Sequence, residues 1–149
     1  MQIKLGIAAV LGAVASLALA EEGRFDKTIA FPRGGEVKLD WSYQKCAIEN
    51  LRVLNYPSAF DIEKARREAP NDHTTIQWEF RIDNRSSNKY DVKLSVEILD
   101  SSGQVVKAGE RSPTVSAHSA ETAKISTRVR TVEAADSPKV RIRADIVPR

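Results

Sequence analysis

Cys46, His73 and His118 carry the only soft or borderline ligand atoms in this chain apart from Met1. A blue-copper or copper-chaperone centre needs His and Cys side chains to converge, usually with a methionine. The order Cys, His, His along the chain does not match such a centre, and no methionine follows Met1. Neither a metal site nor any other cofactor is expected. Serine chemistry needs a nucleophile on a strained turn of the Gly-x-Ser-x-Gly kind, and the serines fall instead in loop-like stretches. No catalytic residue can be assigned, and the chain does not read as an enzyme. Asn84-Arg85-Ser86 matches the N-glycosylation sequon inside a polar segment, with no role assigned to it.

The chemistry that remains is charge. In TAKISTRVR, Lys124, Arg128 and Arg130 alternate with apolar residues; in KVRIRAD, so do Lys139, Arg141 and Arg143. If the two segments pair as a hairpin, these six cations share one solvent face. Like charges directly opposite each other destabilise a strand pair by about 0.2 to 1 kcal/mol, so such a face requires compensation. Glu79 and Asp83 on a flanking strand, with Asp145 at the end, would make it an internal salt-bridge ladder. Without them it would dock an acidic partner, an unidentified extracytoplasmic protein or an anionic surface. Nucleic acid is not expected, because exposed aromatic residues are too few.

Aromatic platforms for sugars are the other candidate. Trp78 and Phe80 share parity with Ile76 and Ile82, and Trp41 and Tyr43 with Val37 and Leu39, so all four are expected to face a core. Tyr56 and Tyr90 are the best candidates for exposure, and two rings are few for a platform. A carbohydrate-binding module therefore ranks below a protein-binding one.

The elements that must position these residues are strands. Apolar residues alternate with period two from Phe25 onward. Phe25 to Phe31 and Val37 to Tyr43 form two strands broken at Pro32-Arg33-Gly34-Gly35. A third runs from Cys46 to about Tyr56, its parity changing at Glu49-Asn50 as a bulge requires. Ser58 reads as the N-cap of one short helix that buries Ile62, Ala65 and Ala69 and stops at Pro70. TTIQWEFRID is the clearest strand, followed by one from Tyr90 to Ile98. Asp100-Ser101-Ser102-Gly103 has the composition of a hairpin loop leading into a strand at Val105. Two further strands are centred on Ile125 and Ile142.

The first twenty residues set the compartment. Lys4 precedes an apolar stretch, Leu5 to Leu17, and Ala18-Leu19-Ala20 has the small-x-small form of a signal-peptidase site. Residues 1–20 are expected to be a cleaved signal peptide and residues 21–149 the mature chain, periplasmic or secreted. Glu21 stands where a lipoprotein needs cysteine. The apolar stretch falls short of the roughly 18 to 20 residues that span a bilayer, and no later segment is continuously apolar, so no membrane span is expected. A single cysteine forbids an intramolecular disulfide. Formal net charge is only +3 over 149 residues, so the basic bias is local to the two segments above.

The segment from Asn84 to Gly103, an Asn-led polar loop, DVKLSVEILD and a following glycine, resembles the FxLYD-type, immunoglobulin-like domains of bacterial exported proteins. Val96-Glu97-Ile98-Leu99-Asp100 sits where that family carries Phe-x-Leu-Tyr-Asp, with Asp100 identical and the apolar positions alike in character. The resemblance implies an extracytoplasmic β-sandwich and no catalytic residues. Together these readings give one all-β, immunoglobulin-like sandwich of seven to eight strands with one short helix, acting as a non-catalytic binding or accessory module through Lys124, Arg128, Arg130, Lys139, Arg141 and Arg143. The alternative is an assembly subunit that pairs through an exposed edge strand.

Overall fold

A computed structural model describes residues 23–149. The expected signal peptide lies outside the described residues. The chain folds as an all-β sandwich of two antiparallel sheets. Its strands are β1 (Arg24–Ala30), β2 (Gly35–Tyr43), β3 (Cys46–Leu54), β4 (His73–Asn84), β5 (Tyr90–Leu99), β6 (Val105–Arg111), β7 (Thr114–Val115), β8 (Ser119–Arg130) and β9 (Lys139–Pro148). One sheet has the order β1-β9-β5-β6, with β7 also paired to β5; the other runs β2-β3-β4-β8.

Alternation explains the core. Ile76, Trp78, Phe80 and Ile82 of β4 face Val92, Leu94, Val96 and Ile98 of β5 and Val140, Ile142 and Ile146 of β9, all at most 1% exposed. Burying an indole N–H without a partner would carry a desolvation penalty. Trp78 avoids it by donating to Thr127 Oγ1 at 2.9 Å. The bulge expected in β3 lies between Ile48 and Asn50, where the register with β4 slips.

Two helices close one end. In α1 (Ala59–Glu68) Ser58 Oγ accepts from the Asp61 N–H at 3.1 Å, and Ala65 turns inward. The second helix, α2 (Thr131–Asp136), has no mark in the sequence, since six residues give no readable period. Thr131 joins it to β4 through a 2.7 Å contact with Thr74 Oγ1, and Arg66 reaches Asp136 at 2.6 Å from α1.

The two long sides of the sandwich differ. On one, β6 lies against β8 because Gly109 has no side chain: a Cβ there would sit 2.6 Å from Ile125 Cγ2. Arg111 Nη1 also donates to the Lys124 carbonyl oxygen at 3.1 Å. On the other side the sheets end in β1 and β2, which are not hydrogen-bonded to each other. Their inward side chains, Phe25, Ile29, Val37, Trp41 and Tyr43, are only partly buried.

Candidate functional site

The expected hairpin of the last two long strands does not form. β8 pairs with β4 in one sheet, and β9 lies between β1 and β5 in the other. Lys124, Arg128 and Arg130 therefore point away from Lys139, Arg141 and Arg143, on opposite outer faces. The cause is α2, which carries the chain from one sheet to the other between Arg130 and Lys139.

Most of these cations are tied to carboxylates. Lys124 Nζ lies 3.8 Å from Glu79, the partner expected from sequence, and Arg130 Nε is 2.9 Å from Glu133. Arg143 reaches Glu97 at 2.7 Å, and Arg141 grips Asp26 with two donors, Nε at 2.9 Å and Nη2. The hydrogen bond from Arg141 holds the Asp26 carboxyl below the usual range. Arg128 and Lys139 form no ion pair among the described residues, and they are on different sheets. Asp83 does not join Lys124; it pairs with Arg85 at 2.9 Å.

Cross-strand register continues this compensation on both outer faces. Glu36, Arg52, Glu79 and Lys124 alternate in sign along one row of β2-β3-β4-β8. Arg24, Asp145 and Lys93 do the same across β1-β9-β5, and Asp26 faces Arg143 in the next row. Opposite charges at adjacent positions favour each pair by a few tenths of a kcal/mol. In place of one basic docking face, the cations lie on two separate outer faces, most of them beside carboxylates.

A different place gathers aromatic and polar groups. Phe25 of β1 and Trp41 of β2 stack across the unclosed side, ring centroids 5.3 Å apart and planes 14° from parallel. Both rings also line a recess whose other lining residues, Arg24, Asp26, Arg143, Asp145, Lys93, Ser95 and Glu110, belong to the outer face of the β1 sheet. Trp41 was expected inside the core. Its parity is inward, but among the described residues β2 is the last strand of its sheet and no strand lies beyond to cover the ring. Tyr90, expected to be exposed, is 1% exposed, its hydroxyl donating to the Gln44 carbonyl oxygen at 3.1 Å. Tyr56 packs on Phe31, edge to face at 5.2 Å.

The remaining sequence candidates have structural surroundings. Cys46 is fully buried, and desolvation pushes its thiol up to about 11. His73 and His118 are exposed, and no group of three or more His, Cys, Asp or Glu capable of holding a metal gathers among the described residues. The sequon asparagine Asn84 is fully buried, with both side-chain heteroatoms in hydrogen bonds.

No family model matches the chain, and no curated protein matches it. Solved structures offer partial likenesses. A β-glucuronidase of glycoside hydrolase family 2 aligns over 41% of this chain at 18% identity and TM-score 0.37, and the chain spans 6% of that enzyme. A protein from Archaeoglobus fulgidus aligns over 59% of this chain and 63% of its own, at 17% identity and TM-score 0.36. The uncharacterized lipoprotein yajI from Escherichia coli aligns over 81% of this chain and 67% of its own, at 17% identity and TM-score 0.34.

Proposed function

We propose that this protein is an exported, non-catalytic binding module whose contact surface is the recess at the unclosed side of the sandwich. The observation that carries the reading is the Phe25–Trp41 stack, an aromatic pair left partly uncovered beside convergent charged and polar side chains. Sites that bind ligands commonly combine an apolar floor with a few placed polar groups. Export is supported by the leader-like residues 1–20 and by the resemblance of the Asn84–Gly103 segment to domains found outside the cytoplasm. Docking of an acidic partner through the last two strands loses its main support, because the cations are split between faces and largely paired.

Assembly through an edge strand is disfavoured by specific features. On β1, Lys27 occupies an inward-facing position between Phe25 and Ile29, and an inward charge on an edge strand obstructs pairing with another chain. On β2 the register breaks between Lys38 and Trp41, where Asp40 has φ of 51°. A bulge of this kind turns an edge away from partners.

The test is site-specific photocrosslinking in the exported fraction, with the probe at Lys93 in the recess or at Ser126 on the opposite outer face. A product formed from position 93 and absent from position 126 is the expected result. Equal products from both positions, or none from position 93, would refute the recess as the contact surface.

A further inference from the structure

We infer that the recess takes a neutral oligosaccharide, a chain of hexose units without carboxylate or sulfate groups. This rests on the recess being the binding surface and narrows what it binds. The first argument is charge. Asp145 lies between Arg24 and Lys93 in cross-strand register, and Asp26 lies beside Arg143. A polyanion approaching any of these cations meets a carboxylate one strand away, and a polycation meets the reverse, so alternation selects against both. A ligand rich in hydroxyl groups has no such conflict, because each hydroxyl donates to a carboxylate and accepts from a cation.

The second argument is shape and polarity. Hexose rings present apolar C–H faces that pack on aromatic rings, and Phe25 and Trp41, stacked on each other and partly uncovered, both line the recess. A lipid surface would need a broad exposed apolar patch. Among the described residues the most exposed large hydrophobic ones are Phe60, Val105 and Val147, none of which lines the recess. An extended peptide would gain most of its affinity by adding a strand to β1 or β2, which Lys27 and the Asp40 bulge oppose. A saccharide needs no backbone pairing.

The experiment uses the full mature chain on an array of neutral and anionic oligosaccharides, followed by calorimetric titration with hexasaccharides: maltohexaose, cellohexaose, laminarihexaose and a heparin-derived anionic one. The expected result is binding of at least one neutral probe, weakened at least about tenfold by Trp41→Ala, as loss of an aromatic anchor requires. Lys93→Ala, which removes no core contact, should weaken the same probe, and Arg128→Glu on the far face should not; thermal midpoints recorded alongside separate lost binding from lost folding. Absence of any neutral binding at millimolar probe, or neutral binding indifferent to both Trp41→Ala and Lys93→Ala, would overturn the inference. If only the anionic probe binds and Lys93→Ala abolishes it, the saccharide class proposed here is wrong and the recess reading stands. If position 93 also yields no crosslink, both readings fail together.

Discussion

Replacing Asn84 with alanine should destabilise this protein by about 3 to 5 kcal/mol, in the upper tail for single substitutions. The side chain ends β4, fully buried. Its Nδ2 donates to the carbonyl oxygens of Asn88 at 2.8 Å, Val115 at 3.2 Å and Ser116 at 3.0 Å; its Oδ1 accepts from Ser86 N at 3.0 Å and Ser86 Oγ at 2.7 Å. One amide therefore ties the β4–β5 turn to the segment joining β7 and β8. Each bond contributes about 1 kcal/mol net, and a buried group left unpaired costs about 1 to 3 kcal/mol. The Val115 carbonyl and the Ser86 N–H are in that second class, while water can replace the partners nearer the surface. Urea unfolding followed by tryptophan fluorescence gives the measurement, since Trp78 is buried and will report exposure. With a slope of about 1 to 3 kcal/mol per molar for a small domain, the midpoint should fall by roughly 2 M. A loss below about 1 kcal/mol, within one hydrogen bond, would refute the view that Asn84 organises this end of the sandwich. Asn84→Asp adds a sign test. Its carboxylate would face three carbonyl oxygens in a dry site, so its folded pKa is raised above the unfolded value near 3.9. The penalty is then smallest below about pH 4, where both states are protonated, and grows as the pH rises toward the folded value.

Four further outcomes follow from the packing. The Cys46 thiol, held near 11 by desolvation, should react with a thiol reagent at pH 8 only at the rate of unfolding and immediately in urea. Gly109→Ala, whose Cβ would lie 2.6 Å from Ile125 Cγ2 and 3.1 Å from Thr127 Cγ2, should destabilise by about 1 to 3 kcal/mol in thermal denaturation. Arg141→Glu sets a carboxylate opposite Glu97 and beside Asp26 and should lower the thermal midpoint at low salt, less at high salt, whereas Arg128→Glu should leave it nearly unchanged. Asp26, whose folded pKa is depressed by Arg141, contributes stability that is present above its unfolded value and lost as the pH falls through the folded one; Asp26→Asn should flatten the acid limb of a stability–pH curve below about pH 4.

Much of the architecture was legible because strands declare themselves by parity. The inward sets Ile76, Trp78, Phe80, Ile82 and Val92, Leu94, Val96, Ile98 are fully buried, as alternation requires. The β3 bulge, the Ser58 cap and the Asp100–Gly103 turn were readable because each leaves a local mark: a parity change, a serine before a helical run, a glycine at φ of 85°. Six-residue α2 and two-residue β7 left none. Parity also fails to say where in a sheet a strand lies. Trp41 and Trp78 have the same inward parity, yet Trp78 is sealed between central strands and Trp41 is partly exposed on a terminal one.

Pairing was the larger gap, and it decided the site. Alternation in TAKISTRVR and KVRIRAD fixes which residues face outward, but it carries no information about which outward face. Two consecutive strands pair as a hairpin when the link between them is short and turn-like. Here the link is α2, which is long enough to cross from one sheet to the other. Once the strands separate, four of the six cations have carboxylates of their own: Glu79 on β4 for Lys124, Glu133 on α2 for Arg130, Asp26 on β1 for Arg141 and Glu97 on β5 for Arg143. Those partners are as far as 115 positions away in sequence, in the case of Asp26 and Arg141. A local excess of one charge in a β-sequence is therefore not a charged surface until its neighbours in the sheet are known. The same topology that neutralises the basic strands also ends both sheets at β1 and β2, and that termination leaves the Phe25–Trp41 pair at the surface.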